Sequence, residues 1–167
     1  ADLRCDFVNR AAVDASGRPA GSWLGRSVEE LSDDPEQGRK AIAAVLREFD
    51  RLHRSFHAWQ PSELMALNAD IAAGKPDAVS PELAGYIRDA QAFAAQGDHL
   101  FDPGIGELIH LWGFQSDEFK AELPPPEAIA AWLKLHPSIA DLSLDGDTVR
   151  SRNRHVALDF GGYLKGV

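Results

Sequence analysis

Cys5 is the only cysteine in the chain, which excludes an internal disulfide and any zinc or iron–sulfur site built on several thiolates. The compartment therefore cannot be read from the cysteines. Basic residues are also in short supply, 17 Lys and Arg against 26 Asp and Glu, for a net charge of -9. With an isoelectric point of about 5.0, the protein has no broad electrostatic grip on nucleic acid or anionic lipid. No apolar run is long enough to span a bilayer, and the N-terminus lacks the basic-then-apolar order of a signal peptide. Arg4 beside Cys5 is wrong for a lipoprotein cleavage site, so an exported form is expected to be a mature or trimmed chain.

The familiar catalytic signatures are missing too. The six histidines, His53, His57, His99, His110, His136 and His155, include no helical pair framing a glutamate as in a zinc protease. His53 and His57 stand four apart, but a helix is expected to end between them, which leaves a solvated or capping role. No serine occupies a nucleophile elbow. Gly161-Gly162 has neither the third glycine nor the long following helix of a dinucleotide site, and no P-loop is present.

What is present reads as α+β, with packed helices and a mixed or antiparallel sheet. At 167 residues the chain is one typical domain or a large piece of a bigger one. Residues 1–22 show only a weak strand pattern, from Cys5 to Val8, and Trp23 to Glu29 reads as a short strand of alternating faces. Asp33-Asp34-Pro35 opens a helix of some twenty residues, with Ile42, Val45, Leu46, Phe49, Leu52 and Phe56 on one apolar stripe. Ser62 and Ser80-Pro81 cap two further helices. The second of these has Leu83, Tyr86, Ile87, Ala90, Phe93 and Ala94 as its buried stripe and Gly97 as its stop. Pro126 begins another helix, with Ile129, Trp132 and Leu133 inward, ending near His136-Pro137. Alternating apolar residues around Asp145-Gly146 mark a hairpin, and Val156 to Phe160 the next strand.

Two passages carry most of the chemical signal. Phe101-Asp102-Pro103-Gly104-Ile105-Gly106 leads into Leu111-Trp112-Gly113-Phe114, and Leu158-Asp159-Phe160-Gly161-Gly162-Tyr163-Leu164-Lys165-Gly166 closes the chain. Each joins an apolar run to an aspartate and then to glycines, an arrangement that lets backbone approach a ligand closely. The two runs are expected to face one another across a cofactor site. Trp112 and Phe114 read as core. Asp102 has two readings, a cap for the turn ahead of Ile105 or a ligand contact.

With these motifs the sequence resembles the ApbE family of FAD:protein FMN transferases. The match rests on Phe-Asp-Pro, Leu-Trp-Gly-Phe and Asp-x-Gly-Gly-x-x-Lys-Gly, with two earlier segments in the same order. Trp23-Leu24-Gly25-Arg26 stands where the family has Met-Gly-Thr, and Ser62-Glu63-Leu64 to Asn68 where it has Ser-Glu-Leu-Ser-x-Leu-Asn. The resemblance covers 23–167 and implies the N-terminal portion of an ApbE-like, T-fold-like domain, incomplete at its C-terminus. It implies FAD against Leu24, Trp59, Leu100, Phe101, Asp102, Asp159 and Lys165, and a magnesium ion on the backbone carbonyl of Gly162. The implied reaction moves FMN from FAD to a threonine or serine of an acceptor flavoprotein, with a bacterial cell-envelope or periplasmic location. A non-catalytic FAD-binding module of the same fold is the alternative.

Chemistry agrees with this, because phosphoryl transfer is mostly positioning and charge neutralisation. Magnesium prefers oxygen ligands and needs no cysteine, and Trp59 and Phe101 offer flat faces for a ring. Three departures stand out. Gly104 replaces the threonine that usually follows Phe-Asp-Pro, Leu24 and Arg26 replace methionine and threonine, and a later family segment bearing an aspartate and a threonine has no counterpart here. The 167 residues are accordingly expected to hold one wall of the site and none of its catalytic residues.

Overall fold

A computed structural model of the chain describes residues 19–22, 24–27, 30, 34–116, 118 and 122–164. The Cys5 to Val8 strand pattern lies outside them, as do Trp23 and Lys165. The chain forms two compact units, Ala1–Arg51 and Leu52–Val167.

In the first unit a 3-10 turn over Ala20–Ser22 precedes a turn at Leu24 and Gly25. Gly25 takes φ 73°, a left-handed conformation, so Leu24 and Gly25 turn where a strand from Trp23 to Glu29 is expected; Trp23, Val28 and Glu29 lie outside the described residues. Helix α1, Pro35–Phe56, starts where the sequence places it, since Asp34 Oδ1 accepts the Glu36 N–H at 2.9 Å and so caps the first turn. Its apolar stripe is not buried along its length. Val45 and Leu46 are exposed and Phe49 is 64% exposed, whereas Phe56, in the second unit, is buried. Leu52 and Phe56, which belong to the second unit, join that unit's core.

The second unit carries the sheet. Helix α2, Glu63–Ala73, has Ser62 as its cap, with Oγ accepting from Met65 N, and ends on left-handed Gly74. Helix α3, Pro81–Gln96, is capped by Ser80. The two helix starts are tied together, because the Glu63 carboxylate accepts from both the N–H and the hydroxyl of Ser80. Leu64, Leu67 and Ile71 of α2 and Leu83, Ile87 and Ala90 of α3 belong to one hydrophobic core and are all essentially inaccessible. Each such aliphatic side chain stabilises the unit by about 1.5–3 kcal/mol. Phe93, expected on the buried stripe of α3, is exposed, and Tyr86 is half-buried.

Strands β1 (Asp77–Ala78), β2 (Leu142–Asp145) and β3 (Thr148–Ser151) form one antiparallel sheet in the order β1-β3-β2. The predicted hairpin pairs Asp145 with Thr148 and Leu144 with Val149, and Gly146 supplies φ 57° at the turn. Two short helices complete the unit, α4 (Gly106–Leu111) and α5 (Pro126–Leu133). Helix α5 stops before the expected His136-Pro137, and of its expected inward residues Trp132 is buried while Leu133 is exposed. A 3-10 turn, Ile139–Asp141, has a capping box between Ser138 and Asp141, and Gln91 of α3 donates to the carbonyls of Ile139 and Leu142 on either side of it. The result is α+β with a small antiparallel sheet, as the sequence implies. Among the described residues no helix is long and apolar enough to cross a membrane.

Candidate functional site

The two motif passages lie side by side. Gly106 N–H donates to Ala157 O at 2.7 Å and Asp159 N–H to Pro103 O at 2.9 Å, and Ile105 and Ala157 form a parallel bridge. A Cβ on Gly106 would stand 2.7 Å from Ala157 O, so glycine is what permits the approach. Val156 to Phe160 is no regular strand. The backbone of buried Leu158 is instead paired by one side chain, with Asn68 Nδ2 donating to Leu158 O at 2.9 Å and Leu158 N–H donating to Asn68 Oδ1 at 2.8 Å. Helix α2 thereby satisfies both backbone groups of Leu158.

Three donors of the protein converge on the Asp102 carboxylate. Oδ1 accepts from Gly104 N at 2.8 Å and from Ile139 N at 2.9 Å, and Oδ2 accepts from Ser138 Oγ at 2.6 Å. His99 Nδ1 stands 3.8 Å from Oδ2, and the side chain of Asp102 is 11% exposed. The capping reading of Asp102 thus describes its geometry, extended by a clamp onto the 3-10 turn. Gly104 belongs to the same clamp, since a Cβ there would stand 2.6 Å from Ile139 N. A threonine there would therefore crowd the backbone of the 3-10 turn.

Asp159 is held differently. Its Oδ1 accepts from Gly161 N at 2.8 Å and its Oδ2 from Gln115 Nε2 at 2.8 Å. Gly161 and Gly162 form an exposed turn, and a Cβ on Gly162 would meet nothing within 4 Å. The aromatic after them is anchored, since the Tyr163 ring packs near Tyr86, Phe93 and Phe160. Burial pushes the Tyr163 phenol above its ordinary pKa, and the adjacent negative charge of Asp89, with which it hydrogen-bonds, pushes it the same way.

The other predicted residues divide. Phe101 is partly buried against the core, while its neighbour Leu100 is 95% exposed. Trp59 is exposed and sits edge-on to His57, ring centroids 4.3 Å apart. His57 is buried rather than solvated, and its Nδ1 accepts from Trp59 N at 3.3 Å and Gln60 N at 3.1 Å. Leu24 is exposed at its turn in the first unit. Trp112 and Phe114, expected in the core, are exposed. Helix α4 has only six residues, and Gly113 turns the chain away with φ 76°.

A cavity of about 390 Å³ opens between α2, α4 and α5, lined among others by Met65, Asn68, Glu107, Gln115 and Trp132. Its size and mainly apolar walls suit a small organic ligand. Gly106, Leu111 and Asn68 of the sequence motifs line it, none of the described residues expected to contact FAD does, and Gln115 reaches from its wall to Asp159. Asn68 stands inside a motif quoted from the sequence. Gln115 and Ser138 have no local sequence signal, because the carboxylates they hold lie 44 and 36 residues away. Among the described residues no three His, Cys, Asp or Glu side chains converge as metal ligands.

Comparison with known proteins places this geometry. The chain is 41% identical over 137 residues to an FAD:protein FMN transferase of Rhodobacter capsulatus, a match covering 78% of this chain and 25% of that protein. It is 30% identical over 134 residues to one of Chlamydia muridarum, covering 78% and 40% respectively. Among solved structures, the ApbE protein of Thermotoga maritima superposes with a TM-score of 0.68 at 29% identity, over 77% of this chain and 41% of that one. The chain thus spans well under half the length of these relatives. The sequence pattern of the ApbE family matches residues 24–167, and the chain belongs to that family.

Proposed function

We propose that the protein is a flavin transferase, taking FAD and moving its FMN half to a threonine or serine hydroxyl of an acceptor flavoprotein. The acceptor oxygen forms a bond to the FMN phosphorus, the pyrophosphate bond breaks, and AMP leaves. The observation that carries this reading is the direct joining of the two motif passages, Pro103 to Asp159 and Gly106 to Ala157. In a reaction dominated by positioning, such a join gives the ligand a fixed wall. Asp159 presents an anionic acceptor at its edge, and the exposed Gly161-Gly162 turn lets a phosphate group approach backbone closely. Leu100, Phe101 and Trp59 add apolar surface for a ring, and Leu24 and Lys165 join the contact set on the strength of the resemblance. Asp102 contributes by holding the loop that carries Leu100 and Phe101.

Magnesium and a cell-envelope location belong to the same proposal. A magnesium ion needs near-octahedral oxygen ligation, and the Gly162 carbonyl is one such oxygen. The described residues alone do not complete that set. The test is incubation of full-length protein with FAD, magnesium and candidate acceptors, read by acceptor mass. A gain equal to FMN is the expected result. Tight FAD binding without a gain for any acceptor would show a binding module instead, and absence of FAD binding would refute the flavin reading.

A further inference from the structure

We propose that Gln115 is a positioning residue of the flavin site, acting through Asp159; the inference rests on the assignment of Asp159 as a flavin contact. The Asp159 backbone is fixed by its N–H bond to Pro103 O at 2.9 Å. Its Oδ1 is fixed by the local turn through Gly161 N at 2.8 Å. Gln115 Nε2 holds the other oxygen, donating to Oδ2 at 2.8 Å, so the two bonds together fix the plane of the carboxylate. Among the described residues it is the one donor to that oxygen.

The choice of an amide has chemical consequences. An arginine or lysine in this place would hold the carboxylate and also neutralise it, whereas glutamine holds it and leaves the full negative charge. An ionised carboxylate has about four acceptor sites, and Gly161 and Gln115 occupy one on each oxygen. Asp159 therefore keeps acceptor capacity on both oxygens, in a fixed plane, for a donor on the ligand such as a ribityl hydroxyl or a ring N–H. Because Gln115 also lines the cavity between α2, α4 and α5, the orientation of Asp159 is set from the cavity wall.

The test is a double-mutant cycle on the full-length protein, with FAD affinity read by quenching of flavin fluorescence and folding checked by thermal melting. Gln115→Ala is expected to raise the FAD dissociation constant about tenfold, equivalent to about 1.4 kcal/mol, without changing the melting temperature. Gln115→Glu, of the same length but with like charge against Asp159, is expected to weaken binding further. In an Asp159→Ala background, Gln115→Ala is expected to add no loss, because the residue acts through the carboxylate. FAD affinity within about twofold of the unsubstituted protein for Gln115→Ala, or additive losses in the double variant, would overturn the inference alone. Failure of the unsubstituted protein to bind FAD would overturn the flavin reading and this inference with it.

Discussion

Replacing Asp102 by alanine separates its two possible roles by magnitude. Three donors converge on its carboxylate, the N–H groups of Gly104 and Ile139 and the hydroxyl of Ser138. Gly104 and Ile139 are buried, Ile139 completely, so water cannot replace the lost acceptor without moving backbone. Each orphaned buried N–H costs about 1–3 kcal/mol, while Ser138 can rotate its hydroxyl and loses less. The sum is a destabilisation of about 3–5 kcal/mol, in the range that marks loss of a buried polar network. Asp102→Asn keeps an oxygen for both N–H groups and turns an NH2 toward Ser138, whose oxygen can accept it, so the expected cost is about 1 kcal/mol. Urea unfolding reads the difference. With a slope of about 1–3 kcal/mol per molar for a protein of this size, the alanine midpoint falls by about 2 M and the asparagine midpoint by much less. A loss below about 1 kcal/mol for Asp102→Ala, accompanied by loss of FAD affinity, would refute the clamp and make Asp102 a ligand contact.

The same structure makes three shorter predictions. Gly104→Thr, which restores the residue usual in the family, should destabilise the unit by about 1–3 kcal/mol because the new Cβ meets Ile139 N; a neutral result in chemical denaturation would show that the loop can retreat. Asn68→Leu leaves the N–H and C=O of buried Leu158 unpaired and should cost about 2–4 kcal/mol in the same assay, whereas an unchanged midpoint would mean the segment finds another partner. The raised pKa of Tyr163 implies that the folded state favours the neutral phenol. This contribution to stability is fully present below the ordinary phenol pKa of about 10 and is lost as pH rises through the higher folded value. Tyr163→Phe should flatten that alkaline decline in unfolding free energy, and a parallel decline in both proteins would exclude Tyr163 as its source.

Features governed by a few adjacent residues are legible in the sequence. Asp34, Ser62 and Ser80 cap the helices they precede, and Asp145-Gly146 turns the hairpin, because each rule acts within a turn of chain. The facing of the two motif passages is legible as well, since paired glycines beside apolar runs imply close backbone approach. What is hidden depends on distant partners. Strand β1 has two residues and exists through its pairing with β3. Val156 to Phe160 alternates like a strand but is paired by the Asn68 side chain. Asp102 reads as a ligand contact or a cap from its own neighbourhood, and only the placement of Ser138 and Ile139 shows where its oxygens are used. An apolar period likewise identifies one face of α1 without saying how far along the helix that face is covered, and Val45, Leu46 and Phe49 are exposed.

The contact between Gly106 and Ala157 is rigid because of something left out. With no side-chain atom between the two backbones there is nothing to repack, so the spacing at that point works as a fixed gauge rather than an adjustable joint. Open space lies at the outer ends of the two passages, where Leu100 is exposed on one and a Cβ on Gly162 would meet nothing within 4 Å on the other. A larger side chain can be accepted at those ends without a clash, whereas any side chain at Gly106 meets backbone.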